Sequence, residues 1–424
     1  MNVLYYLKQF KGNTVLKNGT LFSLYSFIGQ GVSFFLLILL AKYIQPEEYG
    51  HLSLYNTSVM LIGFLMGLSS SGYVSISYFK KTDQEFKKDF TAIFTLYLLS
   101  EIFFIIILTF FGEIIAKLLH LTVQLLWMAI IISLFNAFFS INLNLFRIKE
   151  KVVSYGILSC GNALLNFALS LILVISFKQS WMGRVHAQFI CSILLGLIAI
   201  VVFLKYKLFS FNFEWNRYKT IILWSLPLIP HLATMWLRQG CDRYIIDNSH
   251  SVYDVGVFSF AVNLVTIFAM VGNAFNSSAS VSLYKILSSE EETIIKKGKL
   301  NKHTRMMFYL YTATCVILLL VLPTIVHFFL PKYSPSLGYF YVLSLYGYLE
   351  CLYFLYINYM FYYGKTKELM YITFGTAILH LALSLCFTRY SLYCTAAIYV
   401  IVDIALISIL YIIVRRIKIE NSLT

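Results

Sequence analysis

Apolar residues along the chain fall into long runs separated by short polar connections. A helix needs about 20 mostly apolar residues to cross the hydrocarbon region of a bilayer, where every backbone polar group must be satisfied within the helix. Twelve runs are long enough, and each predicts a transmembrane helix. They comprise residues 19–44, 51–79, 90–111, 125–146, 152–177, 186–204, 220–246, 255–284, 306–330, 337–362, 369–387 and 392–414.

The polar connections are too short to form a separate soluble domain. The longest, residues 284–305, mixes acidic and basic side chains and predicts a short amphipathic surface helix with a loop. Another connection, residues 208–219, divides the runs into six and six. The pattern therefore predicts an all-α integral membrane protein in which residues 1–207 and 220–424 form two six-helix bundles joined by a cytoplasmic connection.

The two halves carry a similar phrase at their first turn. In the first half, residues 42–44 read KYI and residues 49–53 read YGHLS; in the second, residues 243–245 read RYI and residues 256–259 read GVFS. Because each half has an even number of predicted spans, the phrases indicate a parallel repeat with a pseudo-two-fold axis along the membrane normal.

Composition agrees with a membrane protein. Of the 424 residues, 59% are hydrophobic and only 12% are charged, against about 25% charged in soluble domains. Disorder is excluded by the same numbers. Seven cysteines without a C-x-x-C pair indicate neither a disulfide framework nor a zinc site. No sequence pattern calls for a cofactor or a metal, and we expect none.

The net charge of +14 reflects topology. If both termini lie in the cytoplasm, 25 of the 33 Lys and Arg residues fall on the cytoplasmic side. The other eight are Lys42, Lys117, Lys178, Arg184, Arg238, Arg243, Lys332 and Arg389. This bias alternates at every connection, as the positive-inside rule requires. It therefore predicts twelve spans with both termini inside, and we expect no nucleic-acid partner.

Polar residues inside five of the runs recur at steps of three and four, which places them on one face of a helix. They include Gln30 in the first run, Asn136 in the fourth and Asn263 in the eighth. One interpretation is helix–helix packing through small and polar side chains. Stripes in both halves also describe a wet cavity between two bundles, and on that interpretation these three residues are candidate substrate-binding groups.

Ionisable residues deep in the runs are rarer. A charge at the bilayer centre costs at least roughly 2.5 kcal/mol, so such a residue is a functional hypothesis by default. Glu101, Glu350 and Asp403 lie near the middle of their runs and are candidates for ion coupling. His380 lies at a similar depth, and we interpret it as a hydrogen-bonded packing residue. Near Glu350, the side chains of Tyr353 and Tyr356 are candidates for stacking on sugar rings.

The seventh run carries a charged cluster towards its outer end. Arg238 and Asp242 are i,i+4 neighbours, so an internal ion pair between them is one interpretation, and a functional cluster that includes Arg243 is the other. Pro227 and Pro230 lie in the inner half of this run and predict a kink, either a static bend or part of a moving helix.

Two turns resemble those of a known family. Residues 41–50 read AKYIQPEEYG, which is similar to the first-loop signature of bacterial polysaccharide flippases, although the family usually has Gly where this chain has Gln45. In the second half, residues 226–230 (LPLIP), 242–246 (DRYII) and 256–261 (GVFSFA) resemble the corresponding motif. These flippases belong to the multidrug/oligosaccharidyl-lipid/polysaccharide exporter superfamily.

The resemblance implies a V-shaped pair of six-helix bundles that alternate access in the bacterial cytoplasmic (inner) membrane. Wzx-type members, which serve O-antigen synthesis, move undecaprenyl-diphosphate-linked oligosaccharide to the outer leaflet without hydrolysing it. The implied partners are this lipid, the surrounding membrane lipids and other membrane proteins of polysaccharide assembly. The motif matches implicate Lys42, Asp242 and Arg243. We expect Arg238 and Arg243, with Lys42, to hold the diphosphate, and Glu350 and Asp403, with Glu101 and Asp242 as further candidates, to couple transport to a proton or another cation.

Three other classes of membrane protein fit the sequence less well. A cation-coupled multidrug exporter of the same superfamily remains the alternative, although the first run lacks the acidic residue that such exporters often carry there. A facilitator-type transporter would usually have a Gly-Asp-Arg-Gly-Arg-like loop after the second span, and residues 80–89 do not match it. A membrane enzyme would need a sizeable outer loop or an Asp-x-Asp pair, and the sequence has neither.

Overall fold

The computed structural model describes residues 14–210 and 213–420. Twelve helices in these ranges are long and apolar enough to cross a membrane, which confirms the predicted number. We number them spans 1 to 12: Asn18–Ala41, Pro46–Lys80, Asp83–Leu118, Val123–Ile148, Val152–Ser176, Ser180–Lys205, Trp215–Ser249, Val252–Leu287, Thr293–Phe329, Ser336–Tyr362, Thr366–Phe387 and Leu392–Glu420. Residues 1–13, 211–212 and 421–424, which belong to segments predicted to lie in the cytoplasm, are outside the described residues.

The predicted surface helix between spans 8 and 9 was wrong. Span 8 ends at Leu287 and span 9 already begins at Thr293, so only residues 288–292 form a loop. Residues 293–305 continue directly into the membrane-spanning part of span 9. Their lysines are good helix formers, and no proline interrupts the helix before Pro323.

Span 7 consists of three helical pieces, Trp215–Ser225, Leu228–Gln239 and Cys241–Ser249. The first break comes at Pro227, which confirms the predicted kink, because proline cannot donate the backbone hydrogen bond that would continue the helix. Pro230 lies in the first turn of the second piece, where a missing N–H group is tolerated.

A break in span 2 was not predicted. The helix stops at Leu65, and a 3₁₀ segment, Met66–Gly72, precedes the last helical piece. Gly67 and the next two residues adopt left-handed backbone angles, with φ of 59°, 52° and 59°. The Gly67 N–H donates to the Ser100 Oγ at 3.0 Å. A Cβ at Gly67 would lie 2.6 Å from the Tyr97 ring, so this close approach requires glycine.

Two compact units can be distinguished. Unit one holds the described residues up to Tyr43 together with Leu54–Ala233, and unit two holds Ile44–Ser53 together with the described residues from Thr234 onwards. Span 7 therefore begins in unit one and ends in unit two. The predicted domain division at residues 208–219 stays a prediction.

Each unit has its own aromatic or aliphatic core. In unit one, Phe90, Phe138 and Phe203 of spans 3, 4 and 6 are almost completely buried in a single cluster. In unit two, Met360 and Leu410 of spans 10 and 12 are fully buried in another. Between helices in a bilayer, such packing replaces the hydrophobic driving force that holds soluble domains together.

Candidate functional site

Arg238 binds two acidic residues from other spans of unit two. Its Nη2 atom contacts the Asp403 carboxylate of span 12 and lies 3.4 Å from the Glu350 Oε1 of span 10. The Asp403 and Glu350 carboxyl groups are also within hydrogen-bonding reach of each other. We call these three residues the Arg238 cluster. The sequence predicted each of them at depth but did not predict that they meet.

A tyrosine pair brings the two acids together. The Tyr346 and Tyr399 rings meet edge-on with their centroids 5.0 Å apart, which joins spans 10 and 12. Glu350 and Asp403 each follow one helical turn later, so the same helix contact places their carboxyl groups side by side. Asp403 is only 1% exposed, whereas the side chains of Arg238 and Glu350 are 15% and 23% exposed, so the cluster is buried at Asp403 and partly open at Glu350.

Asp242 pairs with His380 and not with Arg238. The distance between the Asp242 Oδ2 and His380 Nε2 atoms is 2.8 Å, and both residues are 1% exposed. The interpretation of Arg238 and Asp242 as an internal i,i+4 ion pair was wrong, because the two side chains bind other partners and span 7 breaks at Gly240 between them. The interpretation of His380 as a hydrogen-bonded packing residue is confirmed, and its ring also contacts Tyr399 edge-on at 4.7 Å.

Arg243 has a different environment from Arg238. Its Nε atom donates to the Ser53 Oγ at 2.6 Å, and the Ser53 hydroxyl donates to the Ser259 Oγ at 2.8 Å. Within residues 14–210 and 213–420, no carboxylate lies at salt-bridge distance from its guanidinium. Arg243 is therefore a half-buried cation that donates to a hydroxyl group.

Two of the predicted polar-stripe residues bond to neighbouring spans. The Asn136 Oδ1 accepts from the Ser192 hydroxyl at 3.0 Å within unit one, and the Asn263 Nδ2 donates to the Tyr49 hydroxyl at 2.7 Å within unit two. These contacts agree with the helix-packing interpretation of their stripes. Gln30 of span 1 is exposed.

The remaining candidates are spread over both units. Lys42 follows span 1 and is exposed. Glu101 of span 3 is 9% exposed, and its Oε2 makes no hydrogen bond to the described residues. Tyr353 is half-buried one turn below Glu350, whereas the Tyr356 ring packs edge-on against Tyr411 at 6.1 Å. Their proposed roles in binding or coupling stay predictions.

Comparison with known sequences identifies the family. Residues 15–283 match the polysaccharide biosynthesis protein family. The chain belongs to this family. The resemblance noted in the two turns is thereby confirmed.

A curated relative and two solved structures extend this result over the whole chain. A protein of the Lsg locus of Haemophilus influenzae is 24% identical over 97% of this chain and 99% of its own length. The lipid II flippase MurJ, in an inward closed conformation, is 18% identical with a TM-score of 0.73 over 93% of this chain and 87% of MurJ. An outward-facing multidrug resistance MATE family transporter of the MOP superfamily is 14% identical with a TM-score of 0.63 over 96% of both chains. The two-bundle helical fold of this family member is therefore shared with both.

The sequence reasoning missed a second ionic cluster, in unit one. Arg217 at the start of span 7 binds the fully buried carboxylate of Asp89 in span 3, and its Nη2 lies 2.5 Å from Glu85 and 2.9 Å from Glu214. Lys81 approaches Asp89 at 2.7 Å. We call these five residues the Asp89 cluster. In the sequence these five charges look like the polar ends of spans, although the i,i+4 spacing of Glu85 and Asp89 marks a common helix face.

The charges of the Asp89 cluster perturb each other. Hydrogen bonds from Lys88 and Arg217 lower the pKa of Glu214. Partial burial alone would lower the pKa of Lys81, but the hydrogen bond and negative charge of Asp89 outweigh burial and raise that pKa. The cluster thus connects the ends of spans 2, 3 and 7 through charged groups that favour their ionised forms.

Proposed function

We propose that this protein is a flippase that moves undecaprenyl-diphosphate-linked oligosaccharide from the inner to the outer leaflet of the bacterial cytoplasmic membrane, for the synthesis of cell-surface polysaccharide. It does so by alternating access and does not hydrolyse the lipid. Family membership supports the polysaccharide pathway, and the fold shared with the lipid II flippase MurJ supports a lipid-linked substrate. The 25 basic residues on the assigned cytoplasmic side support termini that both lie inside.

The proposal rests mainly on the environment of Arg243. A charged side chain within a transmembrane helix is costly unless it is paired, yet the hydrogen bond of the Arg243 guanidinium within the described residues goes to the neutral Ser53 hydroxyl. A planar guanidinium binds phosphate oxygens through two parallel hydrogen bonds. Ser53 occupies the Nε atom of Arg243, and the two terminal nitrogens are left to bind the diphosphate.

The other candidates take supporting roles in this proposal. Lys42, exposed directly after span 1, stays a candidate cation for an anionic headgroup. The half-buried ring of Tyr353 offers a stacking surface for a sugar, with Tyr356 beside it. Glu350 and Asp403 couple transport to a proton or another cation, and Glu101 and Asp242 are further candidates for that step.

A reconstituted flipping assay tests the role of Arg243. Liposomes with purified protein and a fluorescent undecaprenyl-diphosphate oligosaccharide report translocation as a change in accessibility of the label to an added quencher. We expect Arg243→Ala to lower the initial rate by about tenfold or more, because it removes charge-assisted hydrogen bonds to the diphosphate. Arg389→Ala, at an exposed arginine that stacks on Tyr390, is the matched control and keeps the wild-type rate.

The assay also separates the two candidate functions. A flippase moves the labelled lipid in the wild type and loses this activity in Arg243→Ala. If wild-type protein leaves the lipid in place but exports a fluorescent organic cation under an imposed ion gradient, the multidrug exporter is correct. A wild-type rate of flipping in Arg243→Ala would refute the assignment of the diphosphate to this residue.

A further inference from the structure

We propose that unit one binds one anionic phospholipid, whose headgroup is held by Lys149 and Lys151 and whose acyl chain lies in an apolar groove along span 6. The site uses none of the residues assigned above to the transported lipid. The inference goes beyond the proposed function and shares with it only the assignment of this end of unit one to the cytoplasmic side.

Lys149 and Lys151 meet at the ring of Tyr206, which follows span 6. Their ammonium nitrogens lie 4.4 and 4.5 Å from the ring centroid, and the Lys151 Nζ also donates to the Tyr206 hydroxyl. The Lys149 Nζ lies 5.9 Å from the ring centroid of Tyr78, near the end of span 2. The short connection between spans 4 and 5 thus brings two cations to one tyrosine.

The two lysines lack an acidic partner. Within residues 14–210 and 213–420, neither ammonium group lies at salt-bridge distance from a carboxylate. Of the acids nearby, Asp83 pairs with Lys87 at 2.5 Å, and Glu150 accepts a hydrogen bond from span 1 at 3.2 Å. Burial lowers the pKa of Lys149, and the positive charges of Lys151 and Lys87 lower it further. An anion bound at this position relieves the repulsion between the lysines.

An apolar groove runs along span 6 towards the same tyrosine. It has a volume of about 620 Å³ and is formed by apolar side chains between Phe189 and Val202. These residues cover about 20 Å of helix, which exceeds the half of a roughly 30 Å hydrocarbon region that belongs to one leaflet. Val202 lies one helical turn before Tyr206, and both pack against one small cluster of spans 1, 4 and 5. The groove therefore ends where the lysines begin.

This combination fits an amphiphile with a phosphate at its polar end. Each lysine ammonium carries three donors, and phosphate oxygens accept strong hydrogen bonds from such cations. A soluble anion leaves the groove uncovered, and an uncharged lipid leaves the lysines unpaired.

The surrounding charge selects between phospholipids. Lys205 and Lys207, on either side of Tyr206, are exposed and add to the positive charge of Lys149 and Lys151. A zwitterionic headgroup brings its own ammonium group towards these cations, which repel it. A headgroup with a net negative charge, such as phosphatidylglycerol, is attracted instead.

Native mass spectrometry of the delipidated full-length protein tests the site. Titration with phosphatidylglycerol, or with phosphatidylethanolamine of the same acyl chains, gives the dissociation constant of the first lipid bound. We expect phosphatidylglycerol to bind about tenfold more tightly or better, because each lysine beside an anionic lipid contributes about fivefold. Equal affinities for the two lipids contradict the proposal.

The lysine variants test the headgroup position. Lys149→Gln and Lys151→Gln should each weaken phosphatidylglycerol binding about fivefold, and the double variant about 25-fold. Arginine at both positions keeps the charge and should keep the affinity, which separates lost charge from an altered fold. Lys285→Gln, at an exposed lysine of span 8, is the matched control and behaves as the wild type. An equal loss in Lys285→Gln assigns the attraction to the overall basic surface and overturns the proposal.

A larger side chain in the groove tests the acyl-chain position. Leu197 is 50% exposed, so Leu197→Trp fills the groove without repacking the helices. It should weaken binding of phosphatidylglycerol about tenfold, because the acyl chain loses apolar contact area. Leu320→Trp, at a 68% exposed leucine of span 9, is the matched control. An unchanged affinity in Leu197→Trp shows that no acyl chain lies in the groove and contradicts the proposal.

Other occupants of the site give different results. If undecaprenyl-diphosphate oligosaccharide displaces phosphatidylglycerol from the wild type but binds weakly to the lysine double variant, the site belongs to the transported lipid and the inference is wrong. A dimer that Leu197→Trp dissociates assigns the groove to a second copy of the chain and also contradicts it.

The lipid titration and the flipping assay fail independently. A wild type that prefers phosphatidylglycerol as expected but does not flip the labelled lipid contradicts the proposed function alone. A wild type that flips the labelled lipid but binds both phospholipids equally contradicts this inference alone.

Discussion

Gly50 and Gly256 lie backbone to backbone where the start of span 2 crosses span 8 within unit two. A Cβ at Gly256 would lie 1.7 Å from the carbonyl oxygen of Pro46, and a Cβ at Gly50 would lie 2.1 Å from that of Val252. The contacts are reciprocal, since Pro46 precedes Gly50 by four residues and Val252 precedes Gly256 by four. The repeated phrases of the two halves therefore meet around a local two-fold axis.

The crossing predicts a strong effect of a single added methyl group. Gly256→Ala places its Cβ against a main-chain carbonyl that no side-chain movement can relieve, so we expect a loss of about 1–3 kcal/mol or more in the free energy of unfolding. Thermal unfolding of the detergent-purified protein measures this loss. Gly63→Ala in span 2 is the control, because nothing lies within 4 Å of its Cβ position. Equal melting temperatures for the two variants would contradict the crossing.

Ser53 connects the crossing to the candidate site. Its hydroxyl accepts from the Arg243 Nε at 2.6 Å and donates to Ser259. We expect Ser53→Ala to lower the flipping rate by about tenfold, because a hydrogen bond to a charged group contributes about 1.5–3 kcal/mol. Ser53→Thr keeps the hydroxyl and restores the rate.

This prediction distinguishes a positioning role from a purely structural one. If Ser53 only stabilises the helix crossing, Ser53→Ala lowers the melting temperature but leaves the rate per folded molecule unchanged. If Ser53 orients Arg243, Ser53→Ala lowers the flipping rate per folded molecule, through a weaker apparent affinity for the lipid, at an unchanged melting temperature.

The membrane-spanning architecture could be predicted from the sequence because its signal is strong and local. Twelve apolar runs and an alternating charge bias determine the spans, and the proline at 227 determines the main break of span 7. The break in span 2 could not be predicted. The left-handed segment begins at Gly67, whose N–H bonds to Ser100 of span 3, and residues 66–72 carry no signature of that partner.

The residues of the candidate site could be predicted from the sequence, but not which of their side chains contact each other. Depth in the membrane singled out Arg238, Glu350 and Asp403, yet their meeting depends on how spans 7, 10 and 12 pack together. The i,i+4 rule suggested Asp242 as the partner of Arg238, and the break at Gly240 removed the regular helix on which that rule depends. Long-range pairs of this kind follow from tertiary structure alone.

The Asp89 cluster predicts a stability effect within unit one. Arg217→Ala leaves the fully buried Asp89 carboxylate with Lys81 as its remaining cation, and breaking a buried ion pair typically costs about 3–5 kcal/mol. We expect a lower melting temperature, measured by thermal unfolding. Lys87→Ala removes only an exposed i,i+4 pair with Asp83 and should change stability by less than about 1 kcal/mol. Equal effects of the two substitutions would contradict a structural role of the cluster.

The Asp242–His380 pair predicts that stability depends on both the size and the hydrogen bond of the side chain at position 380. His380→Ala leaves the Asp242 carboxylate buried without its partner and opens a cavity next to Tyr399, so we expect a marked fall in both the melting temperature and the flipping rate. His380→Gln can still donate a hydrogen bond from its side-chain amide to Asp242, so it should recover most of the stability.

If His380 carries a proton that transport needs, the glutamine variant is stable but inactive, because an amide does not titrate. If His380 only packs and bonds, as the structure indicates, the glutamine variant keeps its activity together with its stability. The matched measurements are the melting temperature and the initial flipping rate of the same preparation.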